Sequence, residues 1–214
     1  MFEKVLVPYI FNVDEKSIID RYYHTYKDWN NPKLKDIKDD LKQFLRYQQD
    51  NECCYCRQPL GFDNRLVDIE HIVDKKGHDT FGFESKNLAL SCPACNSCKT
   101  QQETLVDPSV TNYPIDSNSF QIIHPYYDNY SEHIERNYPI FISKSAKGDK
   151  TIEYCKLDRL VNIENRQKET MLKAPLIKAL IKCSSMFGDM QELFNAIKDI
   201  IGWQELPKDS QDDE

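Results

Sequence analysis

Two Cys-x-x-C pairs, Cys53/Cys56 and Cys92/Cys95, bracket a stretch that carries an adjacent acid and imidazole, Glu70-His71, and two asparagines, Asn87 and Asn96. A structural zinc ion takes four soft ligands in a tetrahedron, and each pair offers two thiolates at the right reach. Two pairs close the shell without further help. Cys54 and Cys98 compete as thiols, but the 53/56/92/95 set is preferred because its two halves match. The gap from Cys56 to Cys92 exceeds the roughly 15–20 residues of a simple zinc ribbon, so the insert is expected to be a folded unit. Cys155 and Cys183 lie outside it and read as core thiols.

Inside that frame the residue types suit hydrolysis of a phosphodiester. Such a reaction needs a base for water and positive charge near the departing oxygen. An imidazole, with a pKa of about 6.5, meets the first need at neutral pH, and a divalent ion meets the second. Glu70 and the amide oxygen of Asn96 would offer two hard oxygen ligands, which favour Mg²⁺ or Mn²⁺ over zinc at this second site. Lys99 falls one turn beyond Asn96 on the same helical face, where it is as well placed for solvent as for a phosphate. Lys75, Lys76 and His78 read first as an ordinary polar loop beside the base and second as a contact to a nucleic-acid backbone. A further cluster, His124, Asp128 and His133, invites a metal reading, but its spacing fits no defensible site and a structural role is preferred.

The ordered pattern C-x-x-C, then Glu70-His71-Ile72, then Asn87-Leu88, then C-x-x-C-N-x-x-K resembles the HNH endonucleases, whose fold is the ββα-metal finger. The resemblance covers roughly residues 50–102, under a third of the chain, and it has several elements in the right order. It implies that His71 activates water, that Glu70 and Asn96 bind the catalytic metal, and that Asn87 pins the loop carrying the base. Glu stands at position 70 where Asp is commoner, and Asn at 96 where the name-giving members have His; both keep an oxygen donor. A looser, positional similarity extends to HNH subunits of bacterial anti-phage systems of the Septu and retron-associated kinds, which often act beside an ATPase. The resemblance therefore implies a DNA endonuclease with structural Zn²⁺, catalytic Mg²⁺ or Mn²⁺, and a protein partner. Two alternatives stay open: a non-catalytic zinc module that recruits a partner, and an RNA- or tRNA-directed nuclease using the same centre.

The elements that must position these groups follow from periodicity. Residues 15–29 place Ile18, Ile19, Tyr22, Tyr26 and Trp29 at helical spacing, with Asp14 as a candidate N-cap. Asn31-Pro32 restarts a helix, and Leu34, Ile37, Leu41, Phe44, Leu45 and Gln48 line one face of it. That helix leads straight into Cys53. Leu66–Val73 reads as a strand bearing the acid and base, and Pro93 marks the start of a helix near Ser91 or Cys92. Beyond residue 107 the prolines break helices, and FQIIH, YPIFISK and, after a turn at Gly148-Asp149, KTIEYCKL read as strands. Helical spacing returns over 158–183 and 189–201. The expected class is α+β: a zinc-stapled finger over 53–106, an N-terminal arm and helices over 1–52, a strand-rich segment and C-terminal helices over 107–206, and a disordered acidic tail over 207–214.

Bulk properties narrow the function classes. The 214 residues are 40% hydrophobic and 11% aromatic, enough for a real core. No run approaches the ~20 apolar residues of a membrane span. The start MFEKVLVPYIF is a poor signal peptide, so a cytosolic location is expected. There, eight cysteines argue for metal or free thiols over disulfides. A net charge of −7 counts against a protein that grips nucleic acid through a broad basic surface. A metal and a few local cations could still hold one phosphate, with a partner supplying further affinity.

Overall fold

The computed structural model describes residues 2–161, other than Gln101 and Tyr138. The expected helices over 158–183, past Val161, and over 189–201 lie outside the described residues, as do Cys183 and the acidic tail. Among the described residues no helix is long and apolar enough to cross a membrane. The architecture is α+β, and short strands stand among helices and irregular segments.

The N-terminal arm, residues 2–11, forms no strand. Its apolar residues Phe2, Val5 and Phe11 are buried against the core instead. Helix α1 spans Val13–Tyr22. Its cap is Asn12 rather than Asp14: the Asn12 side chain accepts from the Glu15 amide while the Glu15 carboxylate accepts from the Asn12 amide, a reciprocal capping box. The helical spacing expected through Trp29 is interrupted at Tyr23, and a 3-10 turn, Tyr26–Asn30, carries Trp29 separately. Asn31 then caps a short Pro32–Leu34 turn, which leads into α2, Lys35–Gln48. Ile37, Leu41 and Leu45 recur every four residues on α2 and are buried. Each such side chain contributes about 1.5–3 kcal/mol by leaving water.

Strand β1, Asp68–His71, pairs antiparallel with β2, Leu88–Ser91, in the register Asp68↔Ser91, Glu70↔Ala89, His71↔Leu88. Helix α3, Pro93–Lys99, follows at once, with Pro93 at its first position and the Cys92 sulfur accepting from the Cys95 amide at 3.4 Å. Every residue of β2 is buried. Its outward main chain is covered by side chains. Gln49, at the end of α2, accepts from the Leu90 amide at 2.7 Å and donates to the Leu90 carbonyl at 3.0 Å. The Cys54 amide also donates to that carbonyl, and the Tyr126 hydroxyl donates to the Leu88 carbonyl at 2.7 Å.

Residues 104–157 pack against this β–β–α unit. FQIIH, residues 120–124, makes one isolated bridge, Leu105↔Phe120, and no strand. A short helix α4, Tyr130–His133, leads into a hairpin of β3, Ile134–Asn137, and β4, Ile140–Ser143, the latter from the expected YPIFISK strand. KTIEYCKL is not a strand. It lies largely in α5, Ala146–Cys155, capped by Ser145, and buries Gly148, Thr151 and Cys155 at helical intervals. Gly148 is required by close packing, not by a turn: a Cβ there would lie 2.1 Å from the His133 carbonyl oxygen.

Candidate functional site

The sulfur atoms of Cys53, Cys56, Cys92 and Cys95 all lie within 4.8 Å of one another, and the Cys56–Cys92 separation is 3.9 Å. A tetrahedral ion with metal–sulfur bonds of about 2.3 Å needs sulfur–sulfur edges of about 3.8 Å, so the cluster is the right size for a metal such as zinc. Cys54 and Cys98 are not part of it. The first pair sits on a tight turn in which the Arg57 amide donates to the Cys53 carbonyl. Arg57 takes a left-handed backbone there, φ 56°, a conformation that costs a non-glycine residue of order 1–3 kcal/mol. Its guanidinium is buried between the Phe2 and Tyr130 rings, 3.6 and 4.2 Å from their centroids, which holds the residue in place. Arg159 donates to the Cys95 sulfur at 3.2 Å. That cation would offset the negative charge that four thiolates leave on a divalent ion bound there.

Along β1, alternate side chains face α3. Asp68 and Glu70 meet Asn96 and Lys99, one helical turn apart on α3, as two rungs. The Asn96 amide nitrogen donates to the Asp68 carboxylate at 2.8 Å. Lys99 Nζ lies 2.7 Å from Glu70 Oε1 and also donates to the His71 carbonyl at 2.9 Å. Tyr55 donates to the same Glu70 oxygen at 3.0 Å. The structure therefore joins Asn96 to Asp68, and Glu70 to Lys99, rather than Glu70 to Asn96. Lys99 is buried in an ion pair and is neither solvated nor open to a phosphate. Burial pushes the Glu70 carboxyl above its ordinary range, and Lys99 pulls against that shift.

His71 is buried, its ring edge-on to Trp29 with centroids 4.3 Å apart. Its Nε2 lies 3.1 Å from the Gly82 carbonyl. A carbonyl only accepts, so Nε2 carries the proton and Nδ1 keeps the lone pair. Burial, with Lys75 adding to it, holds the imidazole pKa well below its usual value and keeps the ring neutral. On its other side Gly82 leaves room for Tyr23: a Cβ would lie 1.9 Å from the Tyr23 hydroxyl.

Asn87, fully buried, closes the loop between β1 and β2. Its side chain accepts from the Val73 amide at 2.7 Å and donates to the Val73 and Phe81 carbonyls at 3.1 and 2.9 Å. These three bonds tie the two ends of the segment 73–87 to one side chain.

A cleft of about 390 Å³ opens beside the first rung. Asp68 and Asn96 line it together with Trp29, Lys38, Lys42 and Lys75. Trp29 is thus shared between the cleft and the imidazole. Neither Glu70 nor His71 lines the cleft.

His124, Asp128 and His133 form a structural network. His124 is stacked on Tyr127, accepts from the Tyr126 amide at Nδ1, and lies 2.8 Å from the Tyr113 hydroxyl at Nε2. Asp128 is occupied by Ser117, the His124 amide and Lys147. His133 Nδ1 lies 2.7 Å from the Ser145 hydroxyl.

Sequence reasoning passed over Asp68, although a strand's two-residue period places it on the same face as Glu70 and opposite Asn96. Arg159, Trp29 and the α2 lysines are brought in by tertiary packing and left no local signal.

No protein-family model matches this chain, and no solved structure matches it. The comparison with curated proteins finds a partial similarity. Over 124 residues the chain is 28% identical to the Septu protein PtuB of Bacillus thuringiensis, a match covering 56% of this chain and 43% of that protein. The match thus spans less than half the length of that relative.

Proposed function

We propose that this chain is a metal-dependent HNH endonuclease that hydrolyses DNA phosphodiester bonds, and that it serves as the nuclease component of an anti-phage complex beside a protein partner. The observation that carries the reading is the Asn87 clasp. It closes the loop that follows His71, in the order strand, loop, strand, helix, with a four-thiol cluster at both ends. A structural zinc at Cys53, Cys56, Cys92 and Cys95 would hold the unit together. The partial similarity to a Septu protein agrees with a defence role.

In this mechanism His71 Nδ1 takes a proton from water as the water oxygen bonds to phosphorus. The bond from phosphorus to the 3′ oxygen breaks, leaving 5′-phosphate and 3′-hydroxyl ends. Asn96, with the carboxylates that β1 turns toward α3, Asp68 and Glu70, would hold a Mg²⁺ or Mn²⁺ ion. Such an ion, when bound, neutralises charge on the phosphate and the leaving oxygen. Asp68 faces the cleft already, whereas Glu70 would first have to leave Lys99.

A plasmid-nicking assay in Mg²⁺ or Mn²⁺ tests the proposal, with purified protein and with the neighbouring gene's product added. His71→Ala is expected to lower nicking by about 10²–10⁴-fold, the usual worth of a general base. Equal activity in both proteins removes the mechanism. RNA substrates run in parallel separate the RNA-directed alternative.

One observation favours a second reading, a zinc module without catalysis: Glu70 and His71 are both buried in contacts that a purely structural role would also use. Under that reading His71→Ala changes stability and no hydrolysis is seen with any substrate.

A further inference from the structure

We propose that the cleft beside Asp68 and Asn96 is a binding site for the phosphodiester backbone of a nucleic acid, held by Lys38, Lys42 and Lys75. The proposal deepens the nuclease reading by naming the surface that carries the substrate strand, and its test does not depend on cleavage.

Lys35, Lys38 and Lys42 stand at i, i+3 and i+7 on α2, one stripe of a helix, and Lys75 reaches the same cleft from the loop after β1. Asp39 neutralises Lys35 at 2.7 Å. Lys38, Lys42 and Lys75 make no salt bridge among the described residues. Two of these cations are drawn over one indole: Lys38 and Lys75 lie 5.2 and 5.7 Å from the Trp29 ring centroid, and Lys38 also donates to the Trp29 carbonyl. Burial lowers the pKa of Lys38, with repulsion from Lys42 and Lys75 adding to it and Asp39 opposing it; at Lys75 burial again dominates, opposed by Asp74 and Glu70.

Gathering unpaired like charges in a half-buried cleft is unfavourable unless a ligand supplies the opposite charge. The chain as a whole carries −7, so this patch runs against the protein's own balance. Lysine presents a compact point charge that suits phosphate without reading bases. A strand with regularly spaced phosphates can meet three ammonium groups at once, two of which Trp29 holds in place through its ring. Asp68, at the end of the cleft, would repel that strand on its own. A divalent cation at Asp68 and Asn96 would turn the repulsion into a contact, so the cleft leads the backbone toward the proposed metal position.

The test is anisotropy of fluorescently labelled 20-mer duplex DNA and single-stranded RNA, titrated over a salt series without added divalent ion. The protein is the full-length zinc-loaded chain carrying His71→Ala. Replacing all three lysines (K38Q, K42Q and K75Q together) is expected to weaken binding of at least one probe about tenfold or more. It should also reduce the slope of log K against log salt by about 2–3, close to one unit per lost phosphate contact. The matching K38R/K42R/K75R protein should keep both affinity and slope. Zinc content and circular dichroism report that the variants fold. Unchanged affinity and slope in the Gln protein overturn the proposal, as does absence of binding to both probes at about 50 mM salt. Nicking by the wild-type chain, alone and with the neighbouring gene's product added, is scored separately. Lysine-dependent binding without nicking keeps the cleft and removes the nuclease, whereas nicking with lysine-independent binding does the reverse.

Discussion

Asn96 donates its side-chain amide to Asp68 at 2.8 Å, across the contact of α3 with β1 and at the wall of a lysine-lined cleft. One strand pleat away, Glu70 is locked to Lys99 in a fully buried pair. The two carboxylates thus differ in kind, and substitution should separate them. Asp68→Asn is expected to lower metal-dependent nicking by about 100-fold, with little change in denaturation midpoint. Glu70→Gln should instead cost about 3–5 kcal/mol of stability, because it leaves a buried ammonium without its partner. Urea denaturation reads the second effect, and Glu70→Gln with Lys99→Met should recover most of it. If Glu70→Gln unfolds no earlier than wild type, the pair is not a structural tie.

The loop clasp makes a sharper demand. Asn87→Ala strands the Val73 amide and the Val73 carbonyl inside the protein and leaves the Phe81 carbonyl with the Glu84 amide alone, at 3.2 Å. Each unsatisfied group costs about 1–3 kcal/mol. A loss of about 3 kcal/mol or more is expected in chemical denaturation. Asn87→Asp keeps the acceptor but sets a carboxylate oxygen against two carbonyl oxygens, and should cost at least as much as Asn87→Ala. A loss under about 1 kcal/mol would mean that the loop is held elsewhere.

The thiol cluster predicts about one tightly held zinc per chain by elemental analysis. Cys53→Ser or Cys92→Ser should lose it, while Cys54→Ser and Cys98→Ser should keep it. Stripping the metal with a strong chelator should abolish near-ultraviolet dichroism from the aromatic core, since binding and folding of such a unit are one process. Retention of zinc in the Cys53→Ser protein would overturn this ligand set.

Burial holds the His124 pKa down at about 3, against an ordinary 6.5. The folded protein therefore refuses a proton that the unfolded chain accepts. Stability is whole above pH 6.5 and declines as pH falls toward 3, by about 1.4 kcal/mol per pH unit within that window. Denaturation midpoints measured from pH 7 to 5 should fall more steeply in wild type than in His124→Gln. Equal slopes would show that His124 does not set the acid response.

The thiol cluster and the strand–strand–helix order around it were legible because their signals are local. Paired thiols, an acid–histidine step and an asparagine at a fixed remove are read in short windows, as was Pro93 at the start of α3. Asn31-Pro32 and the buried face of α2 could be read the same way. Two errors came from treating local pattern as sufficient. KTIEYCKL alternates like a strand, yet Thr151 and Cys155 are four apart and both buried, and Gly148 lets that helix press on the His133 carbonyl. FQIIH has strand composition but has only a single bridge for a partner. The acid at 70 was matched to Asn96 without asking which side chain α3 would offer it. Lys99, one turn further along, takes it. Trp29 over His71 and Arg159 on Cys95 are long-range contacts, and no short window contains them.

Gln49, Cys54 and Tyr126 occupy the Leu88 carbonyl and both main-chain groups of Leu90 on the outward edge of β2. A two-stranded ribbon with such a rim exposed would be an open template for another chain to zip onto. Here the rim is already spoken for by the protein's own side chains. Amyloid-style stacking, and recruitment of a companion by strand addition, are both shut out along that margin of the hairpin, which leaves side-chain recognition as the route for any protein that docks there.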